Sequence, residues 1–267
     1  MNDGQYTALK ARIRQLTRID LDFYKDVQMR RRLDNYIRAR DQTVEAFVRT
    51  LSQSPQEVQR LKDFLTINVT EFFRDPEQFD ILRRKVIPDL ITRGSKLSVW
   101  SAGCSKGAEA YTLAMILSEA TPSVEFSILA TDIDDGVLAL AREGGPYTPA
   151  DLRALPKAFA LKYFTKTPEG HFVKDEARRG VTFRKHNLLA DTYERGFDLI
   201  LCRNVVIYFT EEAKANITRG FSMALKPDGF LFIGATEALL QAQSLGLDRL
   251  STCFYQKVGD VPRALAA

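Results

Sequence analysis

The chain has 267 residues, 45% of them hydrophobic and 27% charged, which allows a sizeable α/β domain plus a smaller one and excludes wholesale disorder. No apolar run reaches the roughly 18 residues of a membrane span, and Met1-Asn2-Asp3-Gly4-Gln5 lacks the basic-then-apolar layout of a signal peptide, so a cytoplasmic protein without direct membrane insertion is expected. The net charge of +4 comes entirely from residues 1–60, where twelve Lys and Arg oppose eight Asp and Glu, and this points to a basic docking surface beside a neutral main domain.

The first quarter predicts helices. Apolar residues recur at three- and four-residue spacing over Tyr6–Leu16, Tyr24–Arg38, Thr43–Leu51 and Glu57–Ile67. Asp20, Thr43 and Ser54-Pro55 mark turns or helix starts. A further helix over Pro76–Arg93 joins this bundle to the larger remainder of the chain, giving domains of 1–75 and 76–267.

From Lys96 the pattern alternates strand and helix. Strands are predicted at Leu97–Trp100, Glu125–Ala130, Val181–Lys185, Phe197–Cys202 and Gly229–Ile233, with helices over Ala108–Glu119, Asp135–Glu143 and Thr210–Leu225. Such alternation means right-handed βαβ units and a doubly wound parallel sheet. Arg249–Lys257 reads as a last strand, antiparallel at the edge. Gly144–Gly180, rich in proline and short alternations, interrupts the pattern as a small β-hairpin insert. The residues from Gly259 to Ala267 read as a disordered tail.

In such sheets ligands bind beyond the carboxyl ends of the strands. Ser101-Ala102-Gly103-Cys104-Ser105-Lys106-Gly107 follows the first strand, and is either a cofactor loop or an ordinary tight turn. It is neither the G-x-G-x-x-G dinucleotide fingerprint nor a P-loop. Asp132 closes the second strand, where a carboxylate can accept from both ribose hydroxyls of a nucleoside; the bland alternative is a helix cap. His186-Asn187-Leu188 offers an amide and an apolar face to an adenine ring, or simply a turn asparagine. Asn204 and Tyr208 follow an almost wholly apolar strand and emerge at the same edge. Asn68-Val69-Thr70-Glu71-Phe72-Phe73-Arg74 brings amide, hydroxyl and guanidinium groups to the junction of the two domains, unless it merely caps and packs. Three scattered cysteines and two histidines do not make a zinc site, and no metal is expected.

Together these motifs resemble the CheR family of chemotaxis receptor glutamate O-methyltransferases, and most of all its Gram-positive form. The resemblance runs from about Tyr24 to Lys257 through five motifs in the same order: Asn68–Arg74, Trp100–Ser105, Ala130–Asp134, His186–Leu189 and Cys202–Phe209. It implies a Rossmann-like methyltransferase sheet with a small N-terminal helical domain and a small β-subdomain. It implies S-adenosylmethionine as cofactor and S-adenosylhomocysteine as product. Asn68, Thr70, Arg74, Glu109, Asp132, Asn187, Leu188, Asn204 and Val205 would bind the cofactor, Asp132 at its ribose and Arg74 near its methionyl end. Arg74 and Tyr208 would organise methyl transfer. One departure stands out: Ser105-Lys106-Gly107-Ala108-Glu109-Ala110-Tyr111 occupies the place where the family usually reads Ser-Thr-Gly-Glu-Glu-Pro-Tyr.

The resemblance also supplies a partner for the basic helix. Arg30, Arg31 and Arg38 would dock on the acidic, glutamate-bearing methylation region of a cytoplasmic receptor domain. The β-insert would be a second contact in those family members that bind a receptor tail. A monomer is expected. Three rivals differ in class. A nicotinamide oxidoreductase lacks its glycine fingerprint here. A basic nucleic-acid-binding protein or nucleic-acid methyltransferase would carry a basic surface across the main domain, which is neutral here, and there is no N-P-P-Y or D-P-P-Y sequence, so no nucleic acid is expected. The last is a catalytically impaired, cofactor-binding scaffold, suggested by the altered loop at Ala108.

Overall fold

A computed structural model describes residues 1–120, 124–239 and 242–259; of the tail, positions from 260 onward lie outside them. The chain divides into two compact units: Met1–Ile67 with Tyr208–Lys214, and Asn68–Ile207 with Ala215 onward.

The first unit holds α1 (Asp3–Thr17), a 3-10 turn at Leu21–Phe23, α2 (Asp26–Arg38), α3 (Val44–Gln53) and α4 (Pro55–Thr66). The starts follow local chemistry. Thr43 accepts from the Ala46 amide to cap α3, and Ser54 accepts from the Glu57 amide ahead of Pro55, whose missing N–H costs nothing at a first helical position. Asp20 opens the 3-10 turn by accepting from the Asp22 amide. The inward stripes Leu9/Ile13, Leu33, Phe47/Leu51 and Leu61 are almost completely buried.

One distant segment belongs to this unit. The Tyr208 carbonyl accepts from the Lys25 amide at 3.0 Å, and the Thr210 amide donates to the Phe23 carbonyl at 2.8 Å. The rings of Tyr24 and Phe209 meet edge to face at 4.9 Å.

The second unit opens with α5 (Pro76–Ile81), a π turn at Leu82–Val86 and α6 (Ile87–Ile91). The single helix predicted over Pro76–Arg93 is therefore interrupted. Pro88 has no amide to donate and its ring crowds the carbonyl four residues back, at Arg84, which lies inside the widened turn.

The sheet begins with β1 (Lys96–Ala102), α7 (Ala108–Ala120), β2 (Glu125–Asp132) and α8 (Asp135–Glu143). Next come α9 (Lys157–Tyr163), β3 (Phe164–Thr167), β4 (Gly170–Val173) and α10 (Asp175–Arg178). Then β5 (Val181–Lys185), β6 (Phe197–Cys202), α11 (Glu211–Ala224), β7 (Leu225–Ile233), β8 (Leu247–Arg249) and β9 (Phe254–Lys257) complete it. Seven strands pair in the order β5-β2-β1-β6-β7-β9-β8, the first five parallel; β3 and β4 form a separate antiparallel pair within the insert. The chain winds outward from β1 through β2 to β5, then resumes on the other side at β6, so the topological switch lies between β1 and β6.

The last strand differs from expectation. Arg249–Lys257 breaks into β8 and β9, and β9 lies between β7 and β8, leaving β8 at the edge. Packing accompanies this: Phe254 stacks on Phe232 of the neighbouring β7 at 4.2 Å, and Phe254 and Tyr255 are both buried.

Candidate cofactor site

β1, β2, β5, β6 and β7 end together, and their following loops make one edge. Pairing of Ala102 with Thr131, Asp132 with Lys185, and Cys202 with Ile233 sets their common level. The Gly103 and Cys104 amides both donate to the Thr131 carbonyl, at 2.8 and 2.9 Å, which folds the loop after β1 back over β2. This needs Gly103 at φ +78°; a Cβ there would stand 2.5 Å from Val205 Cγ2.

Asp132 lies at the centre of this edge, 8% exposed. Its Oδ2 accepts from the Ser105 amide at 2.8 Å and its Oδ1 from the Asp134 amide at 3.0 Å. A carboxylate has about four lone-pair sites, so acceptor capacity remains for a diol. Burial pushes its pKa up, and the two amides pull it back. The helix-cap alternative falls to its neighbour: Asp134 caps α8 by accepting from the Gly136 amide, while its Oδ2 accepts from Asn68 Nδ2 at 2.8 Å.

Glu109, in the first turn of α7, accepts from Ser101 Oγ at 2.8 Å and faces Arg203 Nη1 at 3.5 Å. Burial raises its pKa, and Arg203 is the strongest influence lowering it. The replaced neighbours Ala108 and Ala110 are both fully buried. Lys106 instead ties the loop to the insert, its Nζ 3.2 Å from Asp151 and its carbonyl accepting from the Tyr147 hydroxyl at 2.6 Å.

Asn187 uses Oδ1 to accept from the Leu189 amide at 2.9 Å, a turn that presents Asn187 and Leu188 half-exposed beyond β5. His186, before them, is buried against Trp100 and Tyr193, and burial lowers its pKa.

After β6, Asn204 adopts φ +59° and its amide donates to Glu237 Oε2 at 3.1 Å; the Gly234 amide donates to the same oxygen at 2.6 Å. Phe73, Asp75 and Ser105 also take left-handed φ angles at this edge, a conformation that costs non-glycine residues on the order of 1–3 kcal/mol each and that gathers at ligand sites. The segment from Asn68 to Arg74 is pinned by the Phe73 amide on Thr112 Oγ1 (3.2 Å) and the Arg74 carbonyl on Arg203 Nη2 (2.8 Å). Thr70 lies within it, part-exposed.

A nucleoside carrying a methionyl chain asks for a diol acceptor, amide groups at a ring rim, and polar groups for an amine and a carboxylate. The edge supplies these types, and Ser105 Oγ, Asn204 Oδ1 and Glu237 Oε1 are buried there without a hydrogen-bond partner. The residues therefore fit the group. The structure gathers Asn68, Arg74, Glu109, Asp132, Asn187, Leu188, Asn204 and Val205 onto one unit and one edge, whereas Tyr208 is carried by the helical unit. Arg203, Asp75 and Glu237 belong to this edge as well, and no sequence motif singles them out. A lone arginine after an almost wholly apolar strand is the available signal for Arg203; Glu237 has none.

A doubly wound sheet whose glycine turn follows β1 and whose acidic residue closes β2 is laid out to bind a nucleoside cofactor. Residues 68–250 match the family model described as CheR methyltransferase, SAM binding domain, and residues 4–66 match CheR methyltransferase, all-alpha domain. The chain belongs to the CheR methyltransferase family. A chemotaxis protein methyltransferase of Listeria innocua is 38% identical over 242 residues, covering 90% of this chain and 92% of the relative. Chemotaxis protein methyltransferase 1 of Pseudomonas aeruginosa is 40% identical over 187 residues, 66% of this chain and 68% of its own. An uncharacterized 104.1 kDa protein of Rhodobacter capsulatus is 35% identical over 82% of this chain but only 24% of its own length.

Proposed function

We propose that the chain transfers methyl groups to glutamate side chains in the cytoplasmic methylation region of chemotaxis receptors, acting as a cytoplasmic monomer. The observation that carries this is the cofactor edge itself, with buried Asp132 and part-buried Glu109 in a chain whose relatives are named chemotaxis protein methyltransferases. Asn68, Thr70, Arg74, Glu109, Asp132, Asn187, Leu188, Asn204 and Val205 hold the cofactor, with Asp132 at the ribose. Bound there, S-adenosylmethionine supplies a methyl on a sulfonium, open to in-line displacement by a carboxylate. A glutamate of ordinary pKa, about 4.3, is already ionised at neutral pH, so no general base is needed. What the protein contributes is alignment and exclusion of water. Arg74 and Tyr208 position the reactants.

The test is methylation of a purified receptor cytoplasmic fragment with methyl-labelled S-adenosylmethionine. Glutamate esters release labelled methanol in mild alkali. Label stable to alkali, or no transfer to the fragment by enzyme that binds the cofactor, would overturn the glutamate reading.

Docking is assigned to α2. Arg31 and Arg38 are exposed on it beside Val27, which is 84% exposed. Arg30 is engaged within the unit, paired to Asp3 at 2.8 Å and lying over the Tyr6 ring, so Arg31 and Arg38 carry more of the contact. Reversing both to glutamate is expected to lower kcat/KM for the receptor fragment about tenfold at low salt, a difference that shrinks as salt screens the charges. The affinity for S-adenosylmethionine should stay at the wild-type value. Unchanged methylation kinetics in the double variant would remove α2 from docking.

A further inference from the structure

Arg203 is a guanidinium with its side chain only 2% exposed, enclosed by aromatic rings and carboxylates. Its Nη2 donates to the Arg74 carbonyl at 2.8 Å and to Asp75 Oδ2 at 2.7 Å. Its Nη1 reaches Glu109 Oε2 at 3.5 Å. The guanidinium carbon sits 5.0 Å from the Phe79 ring centre and 4.6 Å from that of Phe232. These contacts come from the segment after Phe73, from α5, from α7 and from β7. A charge taken this far from water is destabilising unless it is paired, and a simple core would do as well with an apolar residue. Its partners here are not random: one is the main chain of Arg74 and another is Glu109.

We propose that Arg203 is a positioning residue for methyl transfer, its planar fork fixing the main chain that carries Arg74 and the orientation of the Glu109 carboxylate. The inference rests on the proposed cofactor site. Geometry demands arginine. Three acceptors spread over two terminal nitrogens match a rigid fork, and an ammonium on a flexible stem cannot meet them together while lying flat between two rings. The left-handed φ values of Phe73 (+54°) and Asp75 (+59°) flank Arg74, so the segment is held in a conformation that needs such an anchor.

The electrostatics agree. Glu109 faces Ser101 from β1, Arg203 from the loop after β6 and Glu237 from the loop after β7, with the Cys104 and Cys202 thiols nearby. Burial pushes both thiols well above their usual range and Glu237 above its own, and Glu237 pushes Glu109 up. Among these groups Arg203 is the cation that opposes the rise at Glu109. Without it Glu109 takes up a proton at higher pH, and cofactor affinity that depends on its charge falls as pH drops.

The experiment compares the full chain with Arg203→Lys, Arg203→Met and Asp75→Asn. Calorimetry gives S-adenosylmethionine and S-adenosylhomocysteine affinities from pH 5.5 to 8.5, and steady-state methylation gives kcat. Arg203→Lys is expected to bind about tenfold more weakly than wild type. Arg203→Met should lose affinity at a higher pH than wild type does as the pH is lowered, and adding Glu109→Gln should remove that difference. A destabilised core would weaken binding without this pH signature. Asp75 is exposed enough, and asparagine at home enough in left-handed backbone, for Asp75→Asn to fold even if the arginine variants do not. It is expected to lower kcat severalfold with cofactor affinity retained. Wild-type affinity and the wild-type pH profile in the Arg203 variants would overturn the proposal. If they do not fold, wild-type kcat in Asp75→Asn would do so. Failure of wild-type protein itself to bind either compound would instead overturn the cofactor site on which the proposal rests.

Discussion

Asp132→Ala is expected to weaken S-adenosylmethionine binding by at least about a hundredfold, a loss of about 2.7 kcal/mol. Two effects combine. The ribose loses a charged acceptor, and hydrogen bonds to charged groups contribute about 1.5–3 kcal/mol. The Ser105 and Asp134 amides also lose their acceptor, which frees the loop after β1 and the entry to α8. Asp132→Asn separates the two, since its remaining oxygen can still serve one amide; it should fall between wild type and alanine. Calorimetry with both S-adenosylmethionine and S-adenosylhomocysteine, alongside thermal melting, distinguishes lost contacts from lost fold. Wild-type affinity in a folded Asp132→Ala protein would take Asp132 out of the cofactor site.

Gly103→Ala is the second large effect. The residue sits at φ +78°, where a side chain costs roughly 1–2 kcal/mol, and its new Cβ would overlap Val205 Cγ2 at 2.5 Å. Relief requires Val205 to move or the turn to open, and either displaces a residue assigned to the cofactor. Binding should weaken about thirtyfold, or about 2 kcal/mol. The diagnostic measurement is a double-mutant cycle with Val205→Ala, which removes the overlapping methyl groups. Partial recovery of affinity in the double variant, leaving only the backbone cost, marks the clash as the cause. Additive losses would mean that the two residues act separately.

Much of this edge is legible in the sequence because strands buried on both faces read as apolar runs. Leu97–Trp100, Phe197–Cys202 and Gly229–Ile233 are largely such runs, broken only by Ser98 and Asp198, and the chain reaches the edge just past each one. Asp132 and Asp134 show the limit. Both precede a helix, and only hydrogen bonding separates the cap, Asp134, from the carboxylate that holds the loop. Arg203 is hidden for a different reason. Its partners, Arg74, Asp75 and Glu109, are scattered through the sequence, and a buried charge leaves no periodic trace. The division of Arg249–Lys257 into two strands is equally unreadable, since it turns on Phe254 finding Phe232. Tyr208 follows β6 in sequence and looks like part of the same edge, but main-chain bonds to Phe23 and Lys25 decide its place.

That attachment makes the helical unit discontinuous in sequence, and discontinuity governs how such enzymes can be recombined. A graft that exchanges residues 1–67 between relatives brings a new Phe23–Lys25 turn to an old Tyr208–Lys214 segment, and the Tyr24–Phe209 ring pair becomes a junction between two lineages. Chimeras that exchange the helical unit should therefore carry 208–214 along with the helices. In natural lineages, residues 24 and 209, whose rings meet, should change together, as partners in one inherited module rather than as neighbours of two.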